Sequence, residues 1–195
     1  MAQVILQGQT FQCPRQIWDH AVAAQSAALA SNVPMFSVPI GSTGNGVTGR
    51  TKYDTNLLKA NSLNPGEAFI LMQLGFHFNP LMSLADIKTL LNQYYFELSI
   101  VQAGSVFADG PLWLYPLGTG ISGMSTNTAE SSWNIGIANL MVARAWGLEN
   151  SIDIVDQTYF GVNLICPTSP TNSAGTNGYD VWCVLDGLKQ SLVHG

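Results

Sequence analysis

Histidine is the side chain best suited to move a proton or hold a zinc ion near neutral pH, and this chain has three: His20, His77 and His194. They are too dispersed in sequence to announce a metal site, and His77 lies inside the apolar run Gly75-Phe-His-Phe78, where a structural or strand-surface histidine is expected. The three cysteines, Cys13, Cys166 and Cys183, are odd in number and far apart. That fits neither a disulfide framework nor a Cys-x-x-Cys metal knuckle, so they are expected as small buried apolar residues. Carboxylates gather at Glu149, Asp153 and Asp156. Close-set oxygens suit Ca²⁺, yet the ordered D-x-D-x-D-G pattern is missing, and a solvated turn at the head of a strand is the plainer expectation.

Two glycine-rich stretches imitate phosphate-binding motifs. Gly118-Thr-Gly-Ile-Ser-Gly123 matches the dinucleotide fingerprint letter for letter, but that site needs a helix directly afterwards to aim its N-terminus at the pyrophosphate. The following Met124-Ser-Thr-Asn-Thr-Ala129 is a poor helix former. Gly44-Asn-Gly-Val-Thr-Gly-Arg-Thr51 resembles a Walker A loop with Arg50 in place of lysine, and a planar guanidinium does not replace a compact ammonium in that cradle. No serine stands in G-x-S-x-G. Five Trp and six Tyr could line a sugar-binding face, although in a sandwich such residues more often belong to core or interface. The expectation is a protein without catalytic residues, cofactor or metal.

Charged residues make up 10% of the chain, against about 25% in an average soluble domain. Too little surface charge favours association, so the chain is expected to work inside an assembly. A net charge of −5 with only three Arg and four Lys, scattered, offers no basic patch for nucleic acid. No apolar run reaches the roughly 18 residues of a membrane span. The first residues, Met1-Ala-Gln-Val-Ile-Leu-Gln-Gly, lack the basic and apolar regions of a signal peptide, which makes synthesis in a reducing cytosol the expectation.

At 195 residues the chain suits one domain, and its punctuation is that of short strands and turns. Gly110-Pro-Leu-Trp-Leu-Tyr-Pro-Leu-Gly-Thr-Gly-Ile121 reads as an apolar strand between turn signals. Strands are also expected over residues 33–40, 68–78 (buried on both faces), 94–101, 135–146 (ambiguous between helix and strand, read as strand), 151–155, 159–166 and 179–185, the fifth and sixth of these as a hairpin or one continuous run. Trp113 and Trp182 are expected on central strands. Ile17, Trp18, Ala21, Val22, Ala28 and Leu29 recur at helical spacing after Pro14, predicting a helix over residues 14–31. A second short helix is expected over 83–91, with Ser83 as N-cap and Asp86 in its first turn. About eight strands separated by turns is the count of a two-sheet sandwich.

Four segments together resemble a known family: Thr55-Asn-Leu57 leading to Leu63-Asn-Pro-Gly-Glu-Ala-Phe69, Phe96-Glu-Leu-Ser-Ile100, Gly110-Pro-Leu-Trp-Leu-Tyr-Pro116 and Val184-Leu-Asp-Gly-Leu188. They resemble the jelly-roll capsid proteins of tailless icosahedral dsDNA bacteriophages, particularly the small single jelly-roll proteins of membrane-containing viruses, from about residue 50 onward. The resemblance implies an all-β fold, an eight-stranded jelly-roll sandwich; the N-terminal helix expected over residues 14–31 is not part of the family's pattern, and with the short connecting helix it is added to that fold from the spacing of the residues. It also implies a structural role in the virion. Subunits made in the host cytoplasm associate with copies of themselves and other capsid proteins, over an internal membrane in many members. The expected division is an arm at residues 1–31 and a jelly roll at 32–195, with Ile17, Trp18, Val22 and Leu29 of the arm placed either to bridge neighbouring subunits or to cover an open face of the chain's own sandwich. The alternative expectation is a lectin-like carbohydrate-binding sandwich.

Overall fold

Strict alternation of apolar and polar residues sends every second side chain of a strand to the same face, and strand β4, Tyr95–Ile100, alternates without a break. Phe96, Leu98 and Ile100 are buried, while Tyr95, Glu97 and Ser99 are half-buried. The computed structural model describes residues 10–23, 30–79, 84–100, 105–115, 121–122, 134–135, 152–168 and 179–192. Within them lie two four-stranded antiparallel sheets. The larger has the order β1-β10-β3-β8, formed by Thr10–Ala23, Tyr179–Leu192, Glu67–Phe78 and Ile152–Ile154. The smaller has the order β2-β9-β4-β5, formed by Asn32–Met35, Phe160–Ile165, β4 and Ser105–Pro111. A two-residue ladder joins β6, Ile121–Ser122, to β7, Asn134–Ile135. Among the described residues the chain is all-β apart from helix α1, Leu84–Gln93, and one 3₁₀ turn; α1 occupies the place of the expected connecting helix, whose cap Ser83 lies outside the described residues.

Counted along the chain, the eight strands of the two sheets pair from the outside inwards. The first pairs with the last (β1 with β10), the second with the seventh (β2 with β9), the third with the sixth (β3 with β8) and the fourth with the fifth. Contacts of β10 with β3 and of β9 with β4 complete the sheets. Their inner faces share one apolar core, where the rings of Phe76 and Phe96 lie 5.3 Å apart. Burying each such side chain contributes roughly 1.5–3 kcal/mol.

Four expectations are corrected. Residues 14–23 are not helical: they belong to β1, which pairs residue for residue with β10 from Thr10↔Leu192 to Ala23↔Tyr179. Ile17, Asp19 and Ala21 alternate into the interior, so residues 10–23 of the segment expected to stand apart as an arm form a strand of the larger sheet; residues 1–9 lie outside the described residues. Residues 24–29 lie outside the described residues. The apolar stretch from Gly110 is not one strand either, because Pro111 ends β5 and Leu112–Leu114 turn into a 3₁₀ helix. Trp113 is consequently 59% exposed, whereas Trp182 lies on the interior strand β10 as expected. Neither a hairpin nor a single strand joins β8 to β9, since they lie in different sheets. Finally, β3 is an interior strand but does not bury both faces uniformly. A bulge at Met72 lets Leu71 face Gly187 and Gln73 face Asp186, switching the inward positions from Phe69 and Leu71 to Leu74 and Phe76. At that bulge a Cβ on Gly187 would lie 2.0 Å from the Ile70 carbonyl oxygen.

The connection between β2 and β3 runs along the free edge of β1. The Val22 amide donates to the Asn45 carbonyl (2.9 Å), Asp19 bridges to Thr55, and the Asn56 side chain accepts from the Trp18 amide and donates to the Gln16 carbonyl. The edge that could template another strand is thereby occupied. Gly46, at φ +78°, makes the approach possible, since a Cβ there would lie 1.8 Å from the Val22 carbonyl oxygen.

Candidate functional site

Cross-strand pairing sets His20 of β1 opposite Trp182 of β10 and Trp182 opposite His77 of β3, three neighbours in one row on the outer face of the larger sheet. The His20 ring stacks on Trp182 with centroids 3.9 Å apart and 2° between planes. His77 stands 5.6 Å from Trp182, tilted by 49°. The connection along the β1 edge folds Tyr53 and Asp54 over this row, and Tyr53 meets His20 and Trp182 edge to face. His20 Nδ1 lies 3.1 Å from Asp54 Oδ1 and Nε2 lies 2.6 Å from Asp180 Oδ1. A neutral imidazole can donate to only one of these carboxylates; the doubly protonated ring donates to both. Asp180 also accepts from the Asn79 side-chain amide at 2.6 Å, and Asp54 from the Thr51 amide and hydroxyl. Burial pulls the Asp54 carboxyl upwards, but the Thr51 donors and His20 outweigh it and hold it below the usual range. Burial moves His77 the other way from its ordinary value, downwards, against the opposing pull of Asp180.

On the inner side of the same strand, Asp19 is fully buried against Arg50, whose Nη2 donates to Asp19 Oδ1, to the His20 carbonyl (2.7 Å) and to the Asp54 carbonyl (3.3 Å). The second Asp19 oxygen accepts the Phe36 amide at 2.6 Å. Phe36 has φ +65°, a left-handed conformation that costs a large residue on the order of 1–3 kcal/mol. That amide bond, and the bond from the Asn61 amide to the Phe36 carbonyl at 2.7 Å, hold it there. Burial pushes the Asp19 carboxyl up to about 6, while Arg50 and the Phe36 amide pull it back. Nε and Nη1 of Arg50 are buried with no partner among the described residues.

Both ring nitrogens of His20 face carboxylates, so neither is left to accept a proton from a substrate. The arrangement is that of a clamp, tying β1, β10 and the edge-covering connection together. Arg50, which the Walker-like spacing offered to a phosphate, is committed to Asp19 inside the fold. Of the glycine fingerprint only Ile121 and Ser122 are described. Asp153 is exposed, Asp156 accepts the Gly66 amide at 2.8 Å, and Glu149 lies outside the described residues. Among the described residues no three His, Cys, Asp or Glu side chains gather as a metal site, and His194 lies outside them. Cys166 and Cys183 are buried and Cys13 is half-buried, all free; burial pushes the Cys183 thiol up. Three of the four residues expected to bridge subunits lie on β1, on its two faces. Ile17 is 5% exposed in the chain's own core, Trp18 and Val22 are half-buried, with Trp18 Nε1 donating to the Lys52 carbonyl, and Leu29 lies outside the described residues. The roles of Asp19, Asp54 and Asp180 escaped sequence reading. Asp54 and Asp180 lie 34 and 160 residues from His20, and only Asp19, a charge within an otherwise apolar stretch, left a local trace. Comparison with protein families, with curated proteins and with solved structures finds no match to this chain.

Proposed function

We propose that this chain is a capsid subunit, a jelly-roll protein that associates with copies of itself and with other capsid proteins into the capsomers of an icosahedral virion shell. The observation that carries the reading is the nested pairing of the eight main strands, first with last through to fourth with fifth. Rolling one long antiparallel hairpin into two facing sheets generates this order, and viral shell domains are among the proteins built that way. Composition supports the same reading: with 10% charged residues, subunit contacts rather than surface charge would cover exposed apolar groups such as Leu58, Phe107 and Trp113. Light scattering and electron microscopy of the protein at micromolar concentration test it. Multimers or particles are expected; a monodisperse monomer that never enters particles, even beside co-expressed structural proteins of its virus, overturns the proposal.

One observation favours a second reading, a lectin-like module, since lectin domains also use this architecture. Tyr53 is 69% exposed beside Trp182, with the Asp180 carboxylate close by. Aromatic and hydrogen-bonding groups set side by side suit a sugar. In that reading the protein is a monomer that binds glycans, and Tyr53→Ala abolishes the binding.

A further inference from the structure

The inner face of the larger sheet is apolar along most of its length, yet at one end three charged residues take inward positions. Arg15 is in phase with Ile17 on β1, Glu67 with Phe69 on β3, and Lys189 with Leu185 on β10. They stand around a cavity of about 280 Å³ at the mouth of the sandwich, together with the end of the connection that covers the β1 edge. Its floor is apolar: Ile17, Leu57, Leu63 and Phe69 line it and are each at most 6% exposed. Its rim is polar, but most of that polarity is already engaged. Lys189 Nζ is 2.5 Å from Glu67 Oε1, the Asn64 side-chain amide donates to Glu67 Oε2, and Asn56 bonds to the β1 backbone. Arg15 has no carboxylate within ion-pair distance among the described residues.

We propose that this cavity binds an alkyl carboxylate, the carboxylate resting on Arg15 and the chain lying over Ile17, Leu57, Leu63 and Phe69. Small-molecule sites set apolar side chains beside polar groups that fix orientation, and half of the residues lining this cavity are apolar. The charge count selects the head group. One unengaged guanidinium matches a monoanion, in the paired geometry that arginine offers a carboxylate, whereas Glu67 at the rim disfavours a dianion such as phosphate. A cationic amphiphile would meet Arg15 itself, and a neutral one would leave the guanidinium without its partner. The aliphatic floor selects the tail. The site is independent of any role in a shell, since it uses only residues within one subunit.

Octanoate is the probe, followed through the methyl NMR signals of Ile17, Leu57 and Leu63 and by calorimetry, with octanol and octylammonium as controls. Saturable shifts confined to these methyls are expected with octanoate, and none with octylammonium. Arg15→Gln should weaken octanoate roughly tenfold or more, the worth of a charge-assisted hydrogen bond, while octanol binding and the melting temperature stay unchanged because Arg15 is exposed. Ser62→Trp, at the rim, should exclude octanoate and octanol alike. Three results overturn the site: no saturable shift with octanoate, equal binding of octanoate and octylammonium, or an Arg15→Gln protein that binds octanoate as the wild type does.

Discussion

The two sheets face one core but reach it by different means. In the smaller sheet β2, β9, β4 and β5 are 4, 6, 6 and 7 residues long. The inward residues of its two central strands, Phe96, Leu98 and Ile100 on β4 with Phe160, Val162 and Leu164 on β9, are all apolar. In the larger sheet β1 and β10 have 14 residues each and β3 has 12. At about 3.4 Å per residue these strands are about twice as long as the described strands of the smaller sheet. Beside the apolar core they carry polar chemistry: the Asp19–Arg50 pair and the His20 clamp beneath the connection, and the Arg15, Glu67 and Lys189 mouth. Apolar packing sets the length of the short sheet, whereas ion pairs and a crossing loop close the long one.

If β1 is a full member of the long sheet, removing residues 1–31 has the largest effect. It strips β10 of its pairing partner from Tyr179 to Leu192 and leaves the β2–β3 connection with no edge to follow. The expected outcome is a chain that aggregates or melts without cooperativity, checked by calorimetry and near-UV circular dichroism. A soluble, cooperatively folding truncation that merely fails to assemble would make β1 a detachable arm and erase the contrast between the sheets.

Next in size is Arg50→Met. Losing the cation leaves Asp19 buried without its countercharge and the His20 and Asp54 carbonyls without their donor. Breaking a buried pair from one side costs about 3–5 kcal/mol at neutral pH, read from urea denaturation. Adding Asp19→Asn to Arg50→Met removes the stranded charge and should recover part of the loss. Additive effects of the two substitutions would mean that the pair is not coupled.

The same contrast decides what could be read from residues alone. β4 was legible because Phe96, Leu98 and Ile100 keep a strict period of two. β1 was not, because a carboxylate fills the central inward position: with Asp19 discounted, Ile17, Trp18, Ala21 and Val22 fall at helical spacing. In β3 the bulge at Met72 moves the inward set from odd to even positions, which in sequence is indistinguishable from burial on both faces. Pro111 was read as punctuation before a strand, yet with no amide hydrogen to offer a ladder it ends β5 and starts a 3₁₀ turn. The clamp left no local signal, since His20, Asp54 and Asp180 meet only through tertiary pairing.

Acid titration probes the polar end with a smaller effect. Asp19 titrates at 3.8 when unperturbed and at about 6 in the folded chain, so between these values the native state holds a proton the unfolded chain has released. Stability from this group is complete below pH 3.8 and is lost as pH rises through 6, by on the order of 3 kcal/mol. Asp54, held low, works in the opposite sense, but its loss comes as pH falls below its ordinary 3.8, outside this window. Urea midpoints at pH 4, 5, 6 and 7 should therefore fall with rising pH in the wild type more steeply than in Asp19→Asn. Parallel profiles would mean that burial does not perturb Asp19.

The smallest effect is expected at the short sheet, where sequence alone pointed to a large one. A tryptophan inside an apolar run reads as core, and truncating a buried one costs about 3–5 kcal/mol. Trp113, however, lies two residues past Pro111, which turns the chain out of β5, and it is 59% exposed while its neighbour Leu112 is 1% exposed. The turn thus divides the run, sending Leu112 into the core and Trp113 to the surface. Trp113→Ala should shift stability by no more than about 0.5 kcal/mol, with Leu112→Ala, at about 2–5 kcal/mol, as the internal reference. If thermal melts reverse that order, the turn does not divide the run as described and the tryptophan belongs to the apolar core of the short sheet.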